Sequence, residues 1–179
     1  MRSLLQKLRN KTVWGAAPVI LLLAALPLLS APTDPAPDVT LDSAKASPRS
    51  VEPLTQRSVL RDYRFAWSNL AQAVESNSTQ PLNGLFVGTA NTWVTDAVES
   101  QRRNGLTSRY SNQRHHLQAV FYAPEGDLIE LRDSAEYDLE ILDGGKTIHN
   151  EHARVNYVVL MTPAADRWVI RQMQSVAQF

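Results

Sequence analysis

The stretch Ile129-Glu130-Leu131-Arg132-Asp133-Ser134-Ala135-Glu136-Tyr137-Asp138-Leu139-Glu140-Ile141 alternates with a period of two. Its odd positions are apolar except at Asp133, and its even positions carry Glu130, Arg132, Glu136, Asp138 and Glu140. That pattern marks a β-strand with one buried face and one solvated face, predicted here over Leu128–Leu142. The same period recurs on either side. It predicts strands over His115–Tyr122, Lys146–Met161 and Arg167–Val176, separated by Pro124-Glu125-Gly126, Asp143-Gly144-Gly145 and Pro163-Ala164-Ala165-Asp166. Loops this short join neighbouring antiparallel strands, so the reading is a four-stranded antiparallel meander. Three-residue loops would set Phe121 opposite Ile129, Ala119 opposite Leu131 and Leu117 opposite Asp133. They would also set Leu131 opposite Tyr157, Asp133 opposite Val155 and Ala135 opposite Ala153. Both registers match apolar face to apolar face.

Upstream the period lengthens. Val59, Tyr63, Ala66, Trp67, Leu70, Ala73 and Val74 recur at three- and four-residue spacings and predict a helix over residues 54–76. Leu85, Phe86, Ala90, Trp93, Val94, Ala97 and Val98 predict a second over 82–104, ended by Gly105 and weakened near Gly84 and Gly88. The expected fold is therefore α+β: two N-terminal helices packed on a curved four-stranded meander, cone-like in shape. The aromatic stripes read first as core.

Asp133 is the anomaly. The apolar phase resumes unchanged at Ala135, so no bulge has turned Asp133 outward. A carboxylate on an apolar face needs a partner or shifts its ionisation. It reads either as the polar group of a ligand site or as a carboxylate paired with Arg61, Arg64 or a tyrosine of the covering helix.

Residues 13–31 contain no charge. As a helix they would span about 28 Å, close to the ~30 Å apolar core of a bilayer. Arg2, Lys7, Arg9 and Lys11 precede them and Asp34, Asp38 and Asp42 follow, which orients the N-terminus toward the cytoplasm. The expected organisation is a basic cytoplasmic tail over 1–12, a transmembrane anchor over 13–31, a Pro-rich linker over 32–53 and an extracytoplasmic domain over 54–179. Localisation would be the inner or plasma membrane. The alternative is a signal peptide cleaved after Leu29-Ser30-Ala31, although Pro32 follows that exit.

The chain of 179 residues has no cysteine, so disulfides and thiolate chemistry are excluded. Residues 32–179 carry 14 Lys and Arg against 18 Asp and Glu, a net of −4, which argues against nucleic acid as a partner. No phosphate loop, dinucleotide glycine pattern or Gly-x-Ser-x-Gly occurs, and no cofactor is expected. His115 and His116, and Glu151 and His152, are neighbours that diverge on a strand, so no metal site is expected. Arg102, Arg103, Arg109 and Arg114 complement the end of the second helix, or form a patch for anionic lipid or an acidic partner.

Residues 56–177, two helices followed by four antiparallel strands, resemble the nuclear transport factor 2-like superfamily. Within them, the spacing of Trp93 and Ala97, Tyr110, Ala135-Glu136-Tyr137, Tyr157-Val158-Val159 and Arg167-Trp168-Val169-Ile170 resembles the IMS-type domain of cyanobacterial and plastid division proteins. The topology of short tail, span and outer domain also resembles the bridging inner-membrane component of type IV secretion machines. These resemblances imply a non-catalytic domain that binds a protein partner or second copy, or a small apolar ligand, at the envelope. The superfamily also contains isomerases and dehydratases with an acid inside the cone. That implies acid/base chemistry on a small hydrophobic substrate, with Asp133 as the candidate. Trp67, Trp93, Leu131, Asp133 and Tyr157 are the expected ligand-binding residues.

Overall fold

The computed structural model describes residues 36–179. The basic tail and apolar segment, residues 1–31, lie outside the described residues, and no described helix is long and apolar enough to cross a membrane.

Among the described residues, two α-helices cover one face of a six-stranded sheet. Helix α1 runs Pro53–Ser76, within a residue of its expected start and end. Pro53 sits in its first turn, where a missing N–H costs nothing, and Asn77 closes it in the left-handed conformation, φ 51°. The second helical segment is broken, as Gly84 and Gly88 foreshadow. A 3-10 turn occupies Gln80–Leu82, and α2 begins only at Gly88 and ends at Arg103. Between them, Val87 donates to the Ile170 carbonyl and Ile170 to the Leu85 carbonyl, each at 2.9 Å. This pair of bonds holds the entrance of α2 against the last strand.

The sheet corrects the four-stranded antiparallel meander. It has six strands and is mixed. Four are the expected ones: β3 (Leu106–Tyr122), β4 (Ile129–Asp143), β5 (Lys146–Pro163) and β6 (Trp168–Val176). The other two, β1 (Asp38–Asp42) and β2 (Ser47–Pro48), come from the stretch read as a linker, and both pair parallel with β3. Proline obscures them in the sequence. Pro37 precedes β1 and Pro48 ends β2, edge positions where a proline removes no needed hydrogen bond. Between the prolines, Val39 is buried and Leu41 packs on the core. Strand β3 also begins nine residues before His115. Its first half, Leu106–Arg114, is polar and includes Asn112 at φ 51°, where the pairing with β4 slips. That irregularity hides the alternation.

The first hairpin places Leu117 opposite Asp133 and Ala119 opposite Leu131, as the loop length requires. A slip after Ala119 sets Tyr122, not Phe121, against Ile129. The second hairpin differs from the expected register by two. Asp143 pairs directly with Lys146 across Gly144-Gly145, and Ile148 is skipped where Ile141 faces His149. Leu131 therefore faces Val159, Asp133 faces Tyr157 and Ala135 faces Val155. A shift of two keeps every side chain on its face, so the apolar matching survives.

Candidate functional site

Asp133 lies midway along β4 on the face covered by the helices, and it is fully buried. Its parity puts it there, as the unbroken alternation requires. Three elements converge on it. From α1, the Tyr63 hydroxyl donates to Asp133 Oδ2 at 2.7 Å. From β3, His115 Nδ1 lies 2.8 Å from the same oxygen. Because Leu117 faces Asp133 across the ladder, His115 sits diagonally from it on the same face, within reach of a ring. His115 turns inward at 2% exposure, while its neighbour His116 turns out to Thr40 Oγ1 at 3.0 Å.

Trp67, one turn after Tyr63 on α1, covers this cluster. Its ring centroid is 4.3 Å from that of His115, and Tyr63 meets the imidazole edge-on at 5.7 Å. Among the described residues, three polar atoms here have no hydrogen-bond partner: Asp133 Oδ1, His115 Nε2 and Trp67 Nε1. Burial raises the ionisation of Tyr63 well above the usual phenol range, and the Asp133 carboxylate adds to it. Tyr63 therefore remains a donor at all ordinary pH.

Aromatic rings lead away from the cluster toward solvent. Trp67 packs on Tyr157 at 5.8 Å and on Tyr137 at 6.2 Å. The Tyr137 and Tyr157 hydroxyls are 3.3 Å apart, and Tyr110 meets Tyr137 edge-on at 5.0 Å. Burial pushes the Tyr110 phenol up to about 12 and raises Tyr137 and Tyr157 as well. At the rim, Trp93 of α2 stands edge-on to Tyr157 at 6.5 Å and is 44% exposed. Its place on the apolar stripe of α2 reads as core, but nearly half of it is open to solvent.

The five expected ligand-binding residues thus divide. Trp67, Leu131, Asp133 and Tyr157 form closed core, and Trp93 alone of the five is open. The surface hollows of about 380–480 Å³ beside Asp38, Phe65 and Asn112 do not include Asp133. His149 has inward parity but lies at the exposed end of β5, 3.3 Å from Glu151. The arginine run does not form one patch. Arg102 pairs with Glu99, Arg109 with Glu75 and Glu140, and Arg114 with Glu136. The tyrosine partner of Asp133 is the one allowed for in the sequence. His115 was missed there, although its parity relative to Leu117 was signal enough.

No family model matches the chain, and no curated protein sequence does. Solved structures do. The intermembrane space region of the chloroplast protein ARC6 superposes with a TM-score of 0.58 at 12% identity, covering 68% of this chain and 96% of that one. The fold is nuclear transport factor 2-like. LinA matches at a TM-score of 0.44 and 10% identity, covering 70% of this chain and 88% of its own. ActVI-ORFA from Streptomyces coelicolor matches at 0.43 and 10%, covering 69% and 98%. In this nuclear transport factor 2-like frame, Asp133, His115 and Tyr63 occupy the interior between sheet and α1, and Trp93 stands at its rim.

Proposed function

We propose that the chain is a single-pass membrane protein whose extracytoplasmic domain binds a protein partner at the cell envelope without catalysing a reaction. The observation that carries this reading is the contrast in access along one aromatic path. The polar floor is sealed, with Asp133 at 0% and His115 at 2% exposure, whereas Trp93 at the rim is 44% exposed. An indole backed by buried tyrosines is rigid, apolar and able to donate one hydrogen bond, which is the profile of an interface anchor. The uncharged run at 13–31 supports the tether. The likeness in fold to the intermembrane space region of ARC6 accords with the resemblance to the IMS-type domain.

The test is site-specific photocross-linking in the full chain, in its own membrane. A photoreactive aromatic residue at position 93, which keeps a ring at the rim, should give discrete protein adducts, and one at Ile148 on β5 should give none. Equal labelling from both positions, or none from 93, would count against the rim as the binding surface.

A second reading rests on one specific arrangement. His115 Nδ1 is 2.8 Å from Asp133 Oδ2 while His115 Nε2 has no partner among the described residues. A carboxylate holding one imidazole nitrogen and leaving the other free is the geometry of a general acid/base pair. A small, largely apolar substrate with one polar group would satisfy the orphan atoms. The Trp67 ring covers the imidazole, so the substrate would have to displace it.

A further inference from the structure

The outer side of α1 carries a second surface that the rim does not explain. Leu54, Arg57, Arg61 and Phe65 recur at spacings of three and four and so form one line along the helix. Leu54 is 68% exposed and Phe65 49%, and the Arg61 side chain is 63% exposed. No acid lies in that line. Asp62, next to it, turns inward, where it accepts the Trp168 backbone N–H at 2.7 Å while pairing with Arg61 at 2.7 Å. The Arg167 guanidinium sits 6.0 Å from the Phe65 ring centroid. Arg61, Arg64, Phe65, Asp166 and Arg167 border an open hollow of about 480 Å³. In its lining Arg61, Arg64 and Arg167 outnumber Asp62 and Asp166, which pair with Arg61 and Arg167. The exposed Arg57 lies one turn before Arg61 on α1, on a domain whose overall charge is negative.

Exposed apolar side chains flanked by arginines match the face a helix presents to a charged lipid surface. The ring and leucine enter the headgroup layer, and the guanidinium groups stay with the phosphates. Chain length adds a second argument. Ala36 borders the same hollow, and the apolar run ends at Ala31. Five residues of extended chain reach at most about 17 Å. A hollow tied so closely to the end of an anchor stays near the bilayer surface. We infer that the Leu54–Arg61–Phe65 line of α1 docks on anionic phospholipid headgroups of the membrane that holds residues 13–31. The inference rests on the anchored reading of that segment.

The cysteine-free chain allows the test in the full-length protein. Single cysteines at Phe65→Cys and, as control, Ile148→Cys receive a spin label, and the protein is reconstituted in phosphatidylcholine vesicles with or without phosphatidylglycerol. With phosphatidylglycerol, collision of the position-65 label with an aqueous relaxation agent should fall about threefold. The position-148 label should be unchanged, and adding Arg57→Gln and Arg61→Gln should restore access at 65. Equal access at 65 and 148 in both vesicles overturns the docking. So does protection that ignores lipid charge and tracks protein density, which would mean a second copy covers the face. Flotation after an alkaline wash judges the anchor separately. Loss of the chain from the vesicles overturns the anchor, and with it this inference. Retention with an unprotected label at 65 overturns the docking alone.

Discussion

The sheet holds two histidine–aspartate pairs with the same separation. His115 Nδ1 is 2.8 Å from Asp133, and His152 Nδ1 is 2.8 Å from Asp138. The side chains of the first pair are 0% exposed, and those of the second are 45% and 35% exposed. Both aspartates sit on β4, five residues apart, on opposite faces. The inner pair is fixed by Tyr63 and roofed by Trp67. The outer pair shares Asp138 with the Asn112 amide, at 2.7 Å, and faces water. Distance alone does not distinguish them. Removing one partner inside leaves polar atoms with nothing to bind, whereas water replaces the partner outside.

The largest expected effect is therefore at Asp133. Asp133→Ala strands the Tyr63 hydroxyl and His115 Nδ1 in the core and should cost about 3–5 kcal/mol in chemical denaturation. A loss no greater than that of Asp138→Ala would end the distinction between the pairs. Tyr63→Phe removes one of the two bonds to Asp133 and keeps the ring, so about 1–3 kcal/mol should be lost.

The pH dependence sharpens the comparison. The phenols of Tyr63 and Tyr110 ionise higher in the folded chain than free, Tyr110 at about 12. Their contribution is complete below the ordinary phenol value of about 10 and is lost as pH rises beyond it. Stability should fall from about pH 10 upward, less steeply in Tyr63→Phe, measured by denaturation across that range. Asp138 is held low, first by the Asn112 amide and then by His152. Its contribution is present above the ordinary carboxylate range and is lost as pH falls through the depressed value. Asp138→Asn should lower thermal stability at pH 7 only slightly, because water takes the lost partner's place, and should flatten the acid limb by the same small amount. An outer-pair effect at neutral pH as large as that of Tyr63→Phe would mean that exposure does not rank the two.

The inner pair was half legible. Alternation through Ile129–Ile141 placed Asp133 on the covered face, because a strand has no other way to carry Leu131 and Ala135 inward. The hairpin loop length placed Leu117 against it. His115 followed from the same parity but was read as half of a diverging His–His pair, so its inward half went unused. Tyr63 was visible in the α1 stripe, yet nothing local says which tyrosine of a helix reaches a given strand. That depends on packing. Strands β1 and β2 were hidden because five or fewer residues among prolines look like a solvated linker, and their partner β3 starts in a polar, bulged stretch. Exposure at Trp93 was equally illegible, since helical spacing gives the face of α2 but not how fully neighbouring elements cover it.

The central claim is that the floor is closed and binding occurs at the rim. Native mass spectrometry of the full chain, extracted in mild detergent, tests it most directly alongside Trp93→Ala and Asp133→Asn. The account predicts a bound protein or second copy that is lost in Trp93→Ala and kept in Asp133→Asn. A small molecule held by Trp93→Ala and released by Asp133→Asn would contradict it and make the His115–Asp133 floor the working site.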